Sequence, residues 1–176
     1  MPLHENDNMI EVTHRGRVIE LAGSLPAIGT LAPEFRLTDT SKKDVHLSSY
    51  LGKRIVMNIF PSVDTSTCAT SVRTFNKLAA GLANTVVLCI SKDLPFAHAR
   101  FCGAEGIDNL VMLSQYKDSS FSDAYGVDIT ANSYLEGLMS RAIVVVDEQG
   151  VIRYTEQVQD IGSEPNYDAV LTMLGK

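Results

Sequence analysis

No apolar run in the 176 residues approaches the roughly 18 that a bilayer span needs. Positive charge is also short: 15 Lys and Arg stand against 21 Asp and Glu, for a formal net charge of −6. The nearest approach to a basic cluster, Ser41-Lys42-Lys43, reads as a solvated turn, so neither a nucleic-acid backbone nor a membrane is expected as a partner. Three cysteines do not make a disulfide scaffold. In a reducing compartment they are core residues, metal ligands or redox-active thiols. His4, His14, His46 and His98 stand singly, and no pair of ligands has the spacing of a closed zinc site. There is no repeat, no low-complexity tract and no linker, so one domain over residues 1–176 is expected. The opening MPLHENDNMIEV carries acidic and amide residues where a secretion leader has a positive flank and an apolar core. A cytoplasmic protein is expected.

What is present alternates between two periods. EVTHRGRVIELAG, residues 11–23, reads as a β-hairpin turning at Arg15-Gly16. A short strand is expected over Ala32–Thr38, with Asp44–Ser48 as its partner. Ile55–Phe60 is a buried strand, followed by a helix over Thr65–Leu82 with Val72, Phe75, Leu78 and Leu82 on one face. Thr85–Ser91 is the next strand, and Pro95 and Gly106 bracket a helix over Leu94–Ala104. A strand over Leu110–Leu113 and a short polar helix around Ser119–Tyr125 come next. Ala142–Val146 and Val151–Glu156 form a hairpin around Asp147-Glu148-Gln149-Gly150, and a last helix covers about Pro165–Leu174. This order requires a mixed central sheet with helices on both faces. A thioredoxin-like α/β fold with an added N-terminal β-hairpin satisfies it.

The cysteines differ by position. Cys68 falls in the first turn of the longest expected helix, after Thr65-Ser66-Thr67. First-turn N–H groups have no intrahelical partner and carry the positive end of the helix dipole, so an anionic sulfur is stabilised there. A buried, inert cysteine is the alternative, weakened here by small polar neighbours. Asp64 opposes an anionic thiol unless it points away, and then a cation must outweigh it. Cys102 lies near the end of the next helix, beside Gly103 and Gly106. It stands 34 residues after Cys68, and Ala69-Thr70-Ser71 follows Cys68, so no CxxC dithiol exists. Cys89, inside the apolar VVLCIS, is expected to be a core residue without chemistry.

The stretch MNIFPSVDTSTCATSVRTFN closely resembles the active-site segment of the bacterial thiol peroxidase family, the atypical two-cysteine peroxiredoxins. Pro61, Thr65 and Cys68 match the peroxiredoxin signature Pro-x-x-x-Thr-x-x-Cys. DLPFAHARFCGAEGI resembles the family's resolving-cysteine segment, which places that role on Cys102. GLMSRAIVVVDEQG resembles the strand that opens with the active-site arginine, here Arg141. The leading hairpin and the closing SEPNYDAVL also fit, so the resemblance covers nearly the whole chain. Departures are minor: Ser66-Thr67 fills the variable part of the signature, and Lys117 stands where relatives often carry arginine.

The resemblance implies a peroxidase in which Cys68 attacks the peroxide and becomes a sulfenic acid. Thr65 would hydrogen-bond the sulfur and the incoming oxygen, Pro61 would shield the sulfur from water, and Arg141 would supply the cation. Thr65 could equally be an ordinary helix N-cap. On the residues alone, Arg141 reads as a surface arginine beside a strand. Cys102 would close a Cys68–Cys102 disulfide, with thioredoxin as the usual reductant, no cofactor, and a homodimer as the common assembly. Hydrogen peroxide or an alkyl hydroperoxide is the implied substrate. Two other classes remain: a redox sensor using the same pair, and a thiol–disulfide oxidoreductase, the latter disfavoured by the missing CxxC.

Overall fold

In the computed structural model, residues 10–131 and 133–175 are described. His4 and most of the segment read as lacking a leader lie outside them. The main sheet follows from how the apolar runs are spaced. RIVMNI forms strand β5, TVVLCIS forms β6 and VMLS forms β7, at Arg54–Ile59, Thr85–Ser91 and Val111–Ser114. All three are parallel, joined by helices α1 (Ser66–Ala79) and α2 (Pro95–Glu105). Both helices lie on one face of the sheet, where their buried residues share a core. Strand β9 (Ala142–Val146) lies antiparallel beside β5, and β10 (Ile152–Gln157) pairs with β9. On the other side come β3 (Arg36–Thr38) and β4 (Asp44–His46), giving the order β10-β9-β5-β6-β7-β3-β4. The expected mixed sheet is found.

Because β5, β6 and β9 are covered on both faces, alternate residues feed two cores. Val56, Val87, Cys89 and Val145 pack with α1, α2 and α4 (Tyr167–Met173). Met57, Leu88, Ile90 and Val144 pack on the opposite face with Phe121 and Tyr125 of α3 (Ser120–Tyr125). That helix buries Phe121, Ser122 and Tyr125 on its inner side. Phe121 and Tyr125 stack at 4.5 Å. The expected helices on both faces are present.

Several boundaries move, each for a local reason. Strand β3 begins at Arg36 because the Phe35 N–H is taken by the Glu34 side chain at 3.1 Å. Leu47–Tyr50 is a 3₁₀ turn in which Ser49 Oγ accepts the His46 N–H at 3.3 Å, which ends β4 early. Helix α1 stops at Ala79, and its buried stripe is Cys68, Ser71, Val72 and Phe75, with Leu78 and Leu82 only partly covered. Helix α4 starts after Asn166, whose side chain accepts the Ala169 N–H at 3.0 Å. The hairpin of β1 (Glu11–His14) and β2 (Arg17–Leu21) turns at Arg15 and Gly16, both with positive φ, 50° and 77°. Strand β8 (Ile129–Ala131), absent from the sequence reading, pairs with β2 and makes a second, three-stranded sheet.

Candidate active site

Strand β5 ends at the middle of the main sheet, and the chain turns through Pro61–Thr65 into α1. Thr65 takes the N-cap position with extended backbone, and its carbonyl accepts the Ala69 N–H at 3.0 Å. Cys68 is thus the third helical residue, on the inward stripe, and has no solvent exposure. Antiparallel pairing sets Ile59, the last residue of β5, opposite Ala142, the first of β9. The residues just past that pair, Pro61 and Arg141, therefore meet at the same sheet edge. Arg141 is 1% exposed. Its Nη2 donates to Cys68 Sγ at 3.2 Å, and its Nε donates to the Ile161 carbonyl at 2.9 Å. Its Nη1 is buried without a hydrogen-bond partner among the described residues.

Pro61, Thr65 and Arg141 line a cleft of about 510 Å³, walled opposite by His14, Tyr134 and Ile161. The signature residues and the arginine, 80 positions apart at Pro61 and Arg141, are brought together. Thr65 behaves differently from expectation in one respect. Its hydroxyl donates to the Ser62 carbonyl at 3.1 Å and makes no cap bond. Asp64 points into solvent and pairs with Arg100 at 3.2 Å, a partner that no local pattern signalled. The carboxylate expected to oppose an anionic sulfur is thus turned outward and given its own cation.

The other two thiols are set by burial. Burial pushes the Cys89 thiol up to about 12, against a weak hydrogen bond from Asn58. It is a core residue, as expected. Cys102 is half-buried on α2 and its thiol is also pushed up by burial. It packs against the apolar cluster that holds Cys68 and Cys89. All three cysteines are free. Gly106 closes α2 in the left-handed conformation, φ 65°. The remaining histidines serve locally: His14 meets Tyr134 edge-on at 5.4 Å, and His46 Nδ1 contacts the Phe35 carbonyl at 3.1 Å.

A family model described as Redoxin matches residues 27–171. Curated thiol peroxidases of Mycobacterium bovis and Mycobacterium tuberculosis are each 50% identical over 167 residues, covering 95% of this chain and 99% of theirs. The chain belongs to the thiol peroxidases. The peroxidase also superposes on solved structures. A peroxiredoxin-like protein from Aquifex aeolicus matches with TM-score 0.88 at 31% identity, over 95% of this chain and 97% of that one. A thiol peroxidase from Chromobacterium violaceum matches with TM-score 0.86 at 26% identity, over 94% and 96%. The enzyme therefore has the expected thioredoxin-like peroxiredoxin fold, with the three-stranded sheet as its addition. None of its described helices is long and apolar enough to cross a membrane.

Proposed function

We propose that this peroxidase reduces hydrogen peroxide and organic hydroperoxides with Cys68 as the peroxidatic nucleophile and Cys102 as the resolving thiol. The observation that carries the reading is the guanidinium of Arg141, buried with Nη2 on Cys68 Sγ at 3.2 Å and Nη1 free. A cation and a first helical turn both lie at the sulfur, two features that stabilise negative charge there. In this reading the unpartnered Nη1–H serves negative charge developing on the peroxide as its O–O bond stretches.

The thiolate attacks the O–H oxygen, which keeps its proton as the O–O bond breaks, and the departing hydroxide or alkoxide takes a proton from solvent and leaves as water or an alcohol. Cys68 becomes a sulfenic acid. The Cys102 thiol then displaces water from it to form the disulfide. A dithiol reductant, thioredoxin in this reading, returns both residues to thiols. Pro61 lines the same cleft as Arg141, whose guanidinium touches the sulfur, and in this reading shields the sulfur from water. Thr65, its proton given to Ser62, keeps lone pairs free to accept from a hydroperoxide O–H. We further propose one peroxiredoxin domain, a homodimer and a cytoplasmic setting without a cofactor.

Thioredoxin-coupled peroxide consumption by the purified protein tests the reading. Many equivalents consumed per chain are expected. Consumption of about one equivalent would replace the enzyme cycle with a sensor using the same pair.

A further inference from the structure

Asp93 closes the turn between β6 and α2, and its side chain is only 10% exposed. Three hydrogen bonds converge on it, and a histidine stands behind one of the donors. Ser62 Oγ–H reaches Oδ1 at 2.7 Å, while Val63 N–H reaches Oδ2 at 3.0 Å and Ser91 Oγ–H reaches Oδ2 at 2.5 Å. His98 Nε2 lies 3.7 Å from Oδ2 and 2.8 Å from Ser91 Oγ. The serine has one proton and gives it to the carboxylate, so the histidine donates Nε2–H to the serine. Burial opposes the charge, but these hydrogen bonds outweigh it and hold the carboxyl at about 2.

The donors come from two places that matter. Ser62 and Val63 belong to the loop that delivers Cys68. Ser62 also accepts the Asp64 N–H at 3.1 Å on its hydroxyl, and on its carbonyl both the backbone and the hydroxyl of Thr65, each at 3.1 Å. His98 sits fully buried in the first turn of α2, the helix that carries Cys102, with its N–H on the Leu94 carbonyl at 3.1 Å. Its Nδ1 has no partner among the described residues. The backbone carbonyl of Asp93 is itself fixed by Ser114 of β7.

We propose that Asp93 is a positioning residue with two arms, one through Ser62 and Val63 that fixes the Cys68 loop, and one through Ser91 and His98 that restrains the Cys102 helix. The inference rests on the assignment of Cys68 and Cys102 above. The loop arm sets how fast Cys68 meets peroxide, because it fixes the residues that frame the sulfur. The helix arm sets how fast Cys102 arrives, because α2 must loosen before its half-buried thiol can reach a fully buried partner.

Rapid-quench mass spectrometry separates the second-order oxidation of Cys68 from the first-order formation of the disulfide. Ser62→Ala should slow oxidation about tenfold, the worth of one hydrogen bond to a charged group, and leave disulfide formation unchanged. His98→Leu should speed disulfide formation roughly fivefold, the worth of one hydrogen bond between neutral groups, and leave oxidation unchanged. His98→Gln, whose amide nitrogen can reach the position of Nε2, should restore the wild-type rate. Asp93→Asn should show both changes. Both rates moving together in Ser62→Ala or His98→Leu, or neither moving in Asp93→Asn, would overturn the proposal. If His98→Leu fails to fold, wild-type behaviour of Ser62→Ala overturns it alone. Cys68→Ser run alongside keeps the two readings apart. Peroxide consumption by that variant defeats the cysteine assignment, whereas an inert Cys68→Ser with unseparated arms defeats only the coupling.

Discussion

Replacing Arg141 by methionine, of similar length but uncharged, isolates the contribution of the guanidinium. The variant loses the Nη2–Sγ contact of 3.2 Å and the unpartnered Nη1–H. A hydrogen bond to a charged group is worth about 1.5–3 kcal/mol, and about 1.4 kcal/mol on a barrier is tenfold in rate. Loss of one such contact should therefore slow peroxide reduction roughly 10- to 150-fold. Stability should change less. The Ile161 carbonyl loses its donor, at about 1–3 kcal/mol, while the cost of burying a guanidinium, several kcal/mol, also disappears. Arg141→Lys should recover only part of the rate, since one ammonium cannot replace a fork that spans Ile161 O and Cys68 Sγ. The assay is kcat/KM for hydrogen peroxide and for a bulky hydroperoxide, with thermal unfolding as the control. A folded Arg141→Met protein with wild-type kcat/KM would refute the reasoning. A loss confined to the bulky substrate would mean that Arg141 shapes the cleft and does not serve the sulfur.

Cys68→Ser should abolish turnover, Cys102→Ser should react once without recycling through thioredoxin, and Cys89→Ser should keep the chemistry while losing about 1–3 kcal/mol of stability for a buried hydroxyl. Coupled peroxide assays and denaturant melts distinguish them, and full turnover by Cys68→Ser would end the assignment. Disulfide formation should loosen α1's first turn or α2, because Cys68 has no exposure and Cys102 is half-buried. Amide exchange should lose protection near residues 65–70 or 96–106 once the bond forms, and identical exchange in both forms would refute the switch. Asp93, depressed to about 2 chiefly by hydrogen bonds that overcome its burial, should contribute about 2 kcal/mol at pH values above its ordinary 3.8. That contribution should vanish as pH falls through about 2, and acid titration of stability should lose this component in Asp93→Asn. An unchanged acid slope in that variant would show the carboxylate to be unimportant to folding.

The placement of Cys68 was legible because it depends on neighbours in the chain: an apolar strand, a proline, a run of small hydroxyls and then helical spacing. Arg141 was legible only through the resemblance. Its burial comes from the β5–β9 pairing, which joins residues 59 and 142 and leaves no trace in the few residues around it. The same reason hid β8, three residues whose strand character exists only against β2. Asp64 lies in the loop before α1 and meets Arg100 of α2, 36 residues on, so the fate of that carboxylate could be posed from the sequence but not answered. The role of Asp93 was passed over for a different reason. Ser91-Lys92-Asp93 reads as an ordinary polar turn until its donors are seen to arrive from another loop.

The burial of Arg141 acquires a time dependence in the proposed cycle. A guanidinium with 1% exposure is tolerable while an anionic sulfur stands beside it. Once Cys68 carries a neutral sulfenic acid the counter-ion is discharged and a cation is stranded in the core, a situation worth about 3–5 kcal/mol when a buried pair is broken. Oxidation would thereby load the site like a spring at the moment when Cys68 has to leave it. In the Cys102→Ser protein, where the sulfenic acid persists, that load should read out as a lower melting temperature after one equivalent of peroxide than before it. An unchanged or higher melting temperature would show that the stranded charge finds another partner.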